Sequence, residues 1–500
     1  MKVLVLGHRL QYEVQNLVGL FFPGERVETA FEKQPDWQVL TYLREGRGAT
    51  RLLALCRLGE GGETLRAHCA VAPGEPGHKQ RCEMAFGELL YRLFSQVTGY
   101  RPKWGVLTGV RPVKNIRRRL DGGMGEADLR RLFCGEYRVS EQKFDLALQT
   151  ARVQERALAP LPPAGPRDVS LYISIPFCPS RCLYCSFVSH SVEKTHKLVE
   201  PYLELLLQEI SATFALVERL GLRLRTAYIG GGTPTILTAG QMDRLLGHLF
   251  SLVKTPLEEF TVEAGRPDTI DREKLRAMRQ YPVSRININP QTLNDAVLER
   301  IGRRHTAAQT VESFCQAREA GFANINMDLI AGLPGDSYEG FVSTLDRVVA
   351  LDPENVTVHT LSVKRAADLK STAMVRYAAA DAPVERMVDY AAATLGAAGY
   401  DPYYLYRQKN TLANLENVGY AKPGSEGLYN IYMMEELHTI LGCGAGSVTK
   451  LVGRGTRPIE RSFNYKYPQE YIRQFATVLE RKGSLEEFYG CLSEAEHPAV

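Results

Sequence analysis

The chain has 500 residues, 44% hydrophobic and 24% charged, with a formal net charge of +4 and 10 cysteines. Those proportions belong to folded globular proteins and the length exceeds one ordinary domain, so two or three domains with a sizeable core are expected, and disordered and disulfide-scaffold classes are excluded. So small a net charge does not argue for a nucleic-acid partner; no apolar run reaches bilayer-spanning length; and the opening Met1-Lys-Val-Leu-Val-Leu-Gly7 lacks the features of a secretory signal, so a cytoplasmic protein is expected.

From the N-terminus, Lys2–Leu6, Gln38–Leu43 and Thr50–Leu55 read as strands and Lys79–Thr98 as an amphipathic helix. An N-terminal α+β accessory domain over residues 1–157 follows. Within it Arg101, Lys103, Arg111, Lys114, Arg117, Arg118 and Arg119 form a basic stretch without acids. Such a stretch could meet a polyanion, although charge runs are usually solvated faces. Residues 158–167 carry four prolines and a glycine, which forbid continuous helix and mark a linker.

Beyond the linker, over residues 168–380, apolar runs rich in β-branched residues alternate with helical patterns. Strands are expected near Leu171–Ile175, Thr226–Ile229, Phe260–Glu263, Ser284–Asn289, Ile325–Ile330 and Val356–Leu361. Helices are expected near Val199–Leu220, Gln241–Val253, Arg272–Arg279, Leu293–Ile301, Ala308–Ala320 and Tyr338–Ala350. Right-handed crossovers would curl these six β/α repeats into a full or partial barrel, with functional groups at the carboxyl ends of the strands. Residues 381–500 read as a C-terminal extension beside the barrel mouth, with a helix, a Tyr-rich segment and the glycine-rich Leu441–Ser447.

The most specific chemistry lies in Tyr172-Ile-Ser-Ile-Pro-Phe-Cys178-Pro-Ser-Arg-Cys182-Leu-Tyr-Cys185-Ser-Phe187. Cys178, Cys182 and Cys185, separated by three and then two residues, suit an iron–sulfur cube. Three thiolates leave one iron without a protein ligand, and S-adenosylmethionine is the candidate for that corner. The alternatives are a zinc site completed by His190, although no second ligand pair follows, or three incidental buried thiols. The other cysteines, Cys56, Cys69, Cys82, Cys134, Cys315, Cys443 and Cys491, read as small buried hydrophobes. After the second barrel strand, Gly230-Gly-Gly-Thr-Pro-Thr235 would let an amino-acid head group approach the backbone; a tight turn would need glycines as well.

The Cys loop resembles the signature of the radical S-adenosylmethionine enzymes, and the preceding Tyr-x-x-Ile-Pro-Phe is similar to the oxygen-independent coproporphyrinogen III dehydrogenase-like branch, most closely its HemZ type. The resemblance runs from about Leu171 to Ser447 and implies an α/β fold: a partial (β/α)6 radical SAM barrel, here with the N-terminal accessory domain and the C-terminal extension. It implies a [4Fe-4S] cluster on Cys178, Cys182 and Cys185, with S-adenosylmethionine held by Tyr172, Gly231, Gly232, Thr233, Glu263, Gln291, Arg303 and Asp328. Gly231, Gly232 and Thr233 would contact the methionine amino group, Glu263 the methionyl end, Gln291 and Asp328 the ribose, and Arg303 the carboxylate. Guanidinium suits carboxylate, and amide or carboxylate groups suit vicinal hydroxyls. Singly, each such residue is more often a cap or a surface group. Phe177 and Tyr184 would shield the cluster.

The resemblance further implies oxidative decarboxylation of coproporphyrinogen III propionates to vinyl groups, no catalytic residue beyond the cluster and cofactor sites, and a one-electron donor such as flavodoxin or ferredoxin. Arg181, Arg266, Arg304, Lys364 and Arg365 are the cations proposed for the propionates. The sequence departs from the dehydrogenase pattern at Ser174, where that branch has His, and at Phe187, where it has a fourth Cys. Related heme chaperones share the phenylalanine but carry His-Asn-x-x-Tyr-Trp, against which this chain sets Tyr429-Asn-Ile-Tyr-Met-Met434. A heme-binding protein with His438, Tyr429 or Met433 as axial ligand, or a radical enzyme acting on another tetrapyrrole or RNA, are the competing readings.

Overall fold

A computed structural model describes the chain apart from residues 58–62, 74–76, 110, 186–189, 363–381, 409–410, 454–457 and 497–500. Phe187, Lys364 and Arg365 therefore lie outside the described residues, as do the side chains of His190 and Cys491. The described chain divides into two compact units, one of residues 1–151 with 405–416 and one of the remainder.

In the first unit, β1 (Lys2–Leu6), β2 (Glu28–Ala30), β3 (Val39–Arg44), β4 (Thr50–Cys56) and β5 (Leu65–Val71) form a sheet in the order β2-β1-β3-β4-β5. The first three strands are parallel and β3 to β5 antiparallel. Alternate residues of β4 are buried, as a sheet with one covered face requires. Helix α1 (Gln11–Phe21) and helix α2 (His78–Thr98) supply the cover, α2 through Cys82, Phe86, Leu89, Leu90, Leu93 and Phe94. Gly99, left-handed at φ 70°, ends α2 by returning its N–H to the Ser95 carbonyl. The basic stretch continues into α3 (Pro112–Asp121), which buries Val113 and Ile116; Arg119 of that helix donates to Tyr137, while Arg118 is exposed. Helices α4 (Glu126–Arg130) and α5 (Glu141–Leu158) follow. Glu416 is buried in this unit and takes Trp104 Nε1 at 2.7 Å and Lys143 Nζ at 2.8 Å.

The second unit is a β/α alternation. Strands β6 (Asp168–Ile175), β9 (Arg223–Gly231), β10 (Glu259–Gly265), β11 (Arg285–Ile288), β12 (Ile325–Ala331) and β13 (Asn355–Thr360) run parallel, with β7 (Phe177–Cys178) and β8 (His190–Ser191) forming a small separate ladder. Helices α6 (Val192–Arg219), α7 (Ala239–Leu252), α8 (Arg272–Arg279), α9 (Asp295–Arg300), α10 (Ala307–Glu319) and α11 (Tyr338–Ala350) connect them. The helix starts are written locally: Thr238 and Thr306 form capping boxes with Gln241 and Gln309, and Asp271, Asn294 and Ser337 cap through their side chains.

The expected six-strand partial barrel is present. Its sheet is larger than the sequence suggested, in the order β14-β15-β13-β12-β11-β10-β9-β6-β16-β17-β18. After helix α12 (Ala382–Ala397), β14 (Asp401–Arg407) and β15 (Glu416–Ala421) extend one edge, β15 antiparallel to β13. After α13 (Leu428–Glu435), β16 (Thr439–Cys443) enters parallel to β6, followed by antiparallel β17 (Val448–Leu451) and β18 (Glu460–Phe463). The glycine-rich segment thus begins as a seventh parallel strand. Short helices close the chain: α14 (Pro468–Arg473), α15 (Phe475–Glu480) and α16 (Gly483–Glu496).

Cys315 corrects its reading as buried: on amphipathic α10 it falls between inward-facing Phe314 and Ala317 and is exposed, while Cys69 and Cys134 are half-buried.

Candidate cofactor site at the strand ends

In the parallel strands nearly every side chain is buried, so the half-buried ones mark a space inside the curl. They are Tyr172 of β6, Tyr228 of β9, Glu263 of β10, Asp328 of β12 and His359 of β13. Tyr172 stacks on Tyr228 at 6.0 Å between ring centroids, and Tyr228 stacks on Tyr429 of α13 at 4.8 Å. The Tyr228 hydroxyl donates to Glu263 Oε1 at 2.5 Å and accepts from Asn287 Nδ2 at 2.9 Å. Burial pushes the Glu263 carboxyl up to about 7, and the Asp328 charge adds to the rise against the Tyr228 hydrogen bond. Burial raises Asp328 as well, but His359, whose Nε2 lies 3.8 Å away, and Asn326, donating at 2.7 Å, hold it below the usual carboxylate range.

Above this space lies the Cys loop. Leu183 N–H bonds the Ile301 carbonyl at 3.0 Å and Ser180 Oγ the Gly302 carbonyl at 2.8 Å, docking the loop on the end of α9. Cys185 N–H returns to the Cys182 carbonyl at 3.0 Å. The glycine run is sewn to the same loop: Gly232 N–H bonds Ile175 O, Thr233 N–H bonds Phe177 O, and Thr233 Oγ1 donates to Cys178 Sγ at 3.4 Å. A Cβ on Gly232 would sit 2.5 Å from the Phe177 carbonyl, so this glycine is required by the approach of two backbones. Gly231, at φ 108°, makes the turn between them.

Cys178, Cys182 and Cys185 are not joined in disulfides, and the first two are buried. Among the described residues no three His, Cys, Asp or Glu side chains converge on one metal ion. A cube binds each thiolate at a different iron, so its ligands need not converge.

Arg303 is 8% exposed and bridges loop and barrel, donating from Nη1 to the Asn289 carbonyl at 2.6 Å and from Nη2 to the Tyr184 hydroxyl at 3.1 Å. Burial and the neighbouring thiols push the Tyr184 hydroxyl well above its ordinary range, with Arg303 opposing. Gln291 holds a left-handed φ of 70°, sparse for a residue with a side chain, and both its backbone groups pair with β12: its N–H with Asp328 O and its C=O with Ile330 N–H. Four buried atoms on these strand ends have no hydrogen-bond partner among the described residues: Arg303 Nε, Gln291 Oε1, Asn289 Oδ1 and Asn287 Oδ1. Buried polar groups are costly unless paired, so such a group of donors and acceptors suits a polar ligand.

Residues 172–348 match the radical SAM superfamily model. The oxygen-independent coproporphyrinogen-III oxidase-like protein HemZ of Bacillus subtilis is 40% identical over 395 residues, 78% of each chain. The chain belongs to the radical SAM family.

More exactly, it is a radical SAM protein of the HemZ type. The heme chaperone HemW of Lactococcus lactis is 31% identical over 325 residues, covering 64% of this chain and 79% of the chaperone. An anaerobic coproporphyrinogen III oxidase of Cereibacter sphaeroides is 32% identical over 212 residues, 42% and 45% of the two chains. Among solved structures, coproporphyrinogen III oxidase HemN of Escherichia coli aligns with a TM-score of 0.48 at 25% identity, over 65% of this chain and 72% of that one.

Radical SAM proteins use a [4Fe-4S] cluster and S-adenosylmethionine. The strand-end groups fit: one loop offers three thiols outside any disulfide, and the unpartnered guanidinium and amide atoms offer the donor and acceptor set that an amino acid and a ribose need. Two cations proposed for propionates are engaged elsewhere. Arg266 is buried and doubly bonded to Asp268, and Arg304 pairs with Glu193; Arg181 is exposed. The sequence reading missed Tyr228, Asn287, Asn289 and His359. The period-2 alternation of Arg285-Ile-Asn-Ile-Asn289 was a usable signal, since it puts both asparagines on one face of a strand whose neighbours are apolar.

Proposed function

We propose that this chain converts two propionates of coproporphyrinogen III to vinyl groups by oxidative decarboxylation, each giving up a hydrogen atom to the radical, carbon dioxide, and one electron to a one-electron acceptor, forming protoporphyrinogen IX. When bound, the cluster and S-adenosylmethionine would supply one-electron reductive cleavage of the sulfonium and a carbon radical able to take an unactivated hydrogen. The chain's own residues bind, orient and shield. Arg303 would offer its unpartnered Nε to the cofactor carboxylate, Gln291 and Asp328 would offer acceptors to hydroxyls, and Glu263, beside Tyr228, would hold the amino group. The stack Tyr172–Tyr228–Tyr429 walls the space against water.

The observation that carries this reading over heme delivery is Tyr429. The resemblance sets it against the chaperones' histidine; it is 4% exposed and is built into the wall of the cofactor space by stacking on Tyr228. His438 is equally withdrawn: it is 1% exposed, stacked on Tyr432 at 3.8 Å and bonded through Nδ1 to Ser170. Burial pushes its imidazole down to about 3. A one-electron donor such as flavodoxin or ferredoxin and a cytoplasmic setting belong to the same proposal. No helix among the described residues is long and apolar enough to cross a membrane.

The test is a single incubation of anaerobically reconstituted protein with reductant, S-adenosylmethionine and coproporphyrinogen III, with porphyrin products read by mass. Stepwise loss of two carboxyl groups is expected. Cofactor cleavage without any decarboxylated product would overturn the substrate assignment, and stoichiometric heme binding without conversion would favour delivery.

A further inference from the structure

Arg266 stands at the end of β10, where a register shift between Glu263 and Gly265 and a left-handed Gly265 at φ 52° turn the chain toward the Cys loop. Its side chain is 3% exposed and committed to the protein. Nε and Nη2 hold both oxygens of Asp268 at 3.0 and 2.9 Å. Nη1 donates to Ser180 Oγ at 2.8 Å, to the Ser180 carbonyl at 3.2 Å, and to Cys182 Sγ at 3.9 Å. His305 Nδ1 lies 3.7 Å from the Asp268 Oδ1 that Arg266 Nε also holds. Arg303 differs from Arg266: its Nε has no partner among the described residues, so it keeps a donor for a ligand.

We infer that Arg266 is a positioning residue for the cluster: it fixes the Cys182 sulfur and, as a buried cation donating N–H to a ligand thiolate, raises the cluster's reduction potential. The inference rests on the assignment of Cys178, Cys182 and Cys185 as the cluster's thiolates. The physics is general. Reduction adds one negative charge to the cluster, and a hydrogen-bonding cation in a poorly solvated site stabilises that charge more than the oxidised state's smaller one. Asp268 orients the guanidinium through two bonds and partly offsets its field. The arrangement therefore predicts opposite effects of removing the cation and removing its anion.

The experiment is a redox titration, followed by low-temperature electron paramagnetic resonance, of reconstituted wild type and of Arg266→Gln, Arg266→Lys and Asp268→Asn, without S-adenosylmethionine. Iron and sulfide content is measured first; absence of a cluster in wild type would overturn the thiolate assignment itself. With clusters present, Arg266→Gln should lower the potential by the equivalent of at least a tenfold change in the reduced-to-oxidised ratio, about 59 mV for one electron. Arg266→Lys should fall between the two, and Asp268→Asn should raise the potential. If Arg266→Gln does not fold, the sign of the Asp268→Asn shift alone decides. Equal potentials in wild type and Arg266→Gln, or a fall in Asp268→Asn, would overturn the inference.

Discussion

Two carboxylates of the second unit, fully buried Glu209 and half-buried Glu263, differ in what their surroundings do for them. Glu209 of α6 is fully buried and saturated. Its Oε2 accepts Gly444 N–H at 2.7 Å and the Tyr471 hydroxyl at 2.6 Å; its Oε1 accepts Asn464 at 2.8 Å and pairs with Lys482 at 2.8 Å. Lys482 also donates to the Gly442 carbonyl at 2.6 Å. That network ties the C-terminal segment to the barrel and sets the Gly444–Ala445 turn, whose Ala445 carbonyl accepts from Ser174 on the strand entering the Cys loop. Glu263 has one protein donor among the described residues, the Tyr228 hydroxyl, and sits beside unpartnered amide atoms. A carboxylate has about four acceptor positions. Filled, they make a structural joint; mostly open, they make a place for a ligand.

Four measurements would break or sharpen this contrast. The largest effect is expected where open groups meet thiols: Cys182→Ala should reduce iron on reconstitution from roughly four per chain to near none, while the melting midpoint of the cluster-free protein moves by no more than about 3 °C. At the saturated joint the loss falls on the fold instead. Glu209→Ala should cost ~3–5 kcal/mol in denaturant titration because it strands Lys482 without its partner, whereas Glu209→Leu combined with Lys482→Met should cost much less. A loss below about 1 kcal/mol in the single variant would remove the contrast.

Third in size is a pH effect at Glu263. An unfolded glutamate gives up its proton near 4.3 and the native one only near 7, so native stability falls as pH rises from about 4 to about 7 and is level above that. The component is on the order of 3 kcal/mol. Cluster-free Glu263→Gln should lack it, and parallel pH profiles of the two proteins would sink the assignment. The smallest effect belongs to Gln291→Gly, which relieves a left-handed backbone at a residue with a side chain. Stability should rise by about 1 kcal/mol at most, while S-adenosylmethionine binding by the reconstituted protein, read by equilibrium dialysis, weakens about tenfold, or 1.4 kcal/mol.

Much of the architecture was legible. Apolar runs bounded by turn residues located β6 and β9 to β13, whereas α6, expected from Val199, begins at Val192. The three-thiol loop was legible because its cysteines are neighbours in sequence, and their part as cluster ligands belongs to the proposal. What escaped were pairings between distant segments. Leu441–Ser447 reads as a glycine-rich part of the extension until Thr439–Cys443 is laid beside β6, and Tyr228 is one more strand residue until Glu263 and Asn287 close on its hydroxyl.

Arg266 shows the limit most sharply. The residue type suggested a propionate partner at the mouth, and only the bulge in β10 with left-handed Gly265 turns it inward to Asp268 and Cys182. The sequence by itself determined the β/α alternation, the thiol spacing and the family, because these depend on residues within a few positions of one another. The tertiary structure decided which buried polar groups are satisfied and which stay open, because a hydrogen bond between residues far apart in the chain exists only once the sheet has set their register.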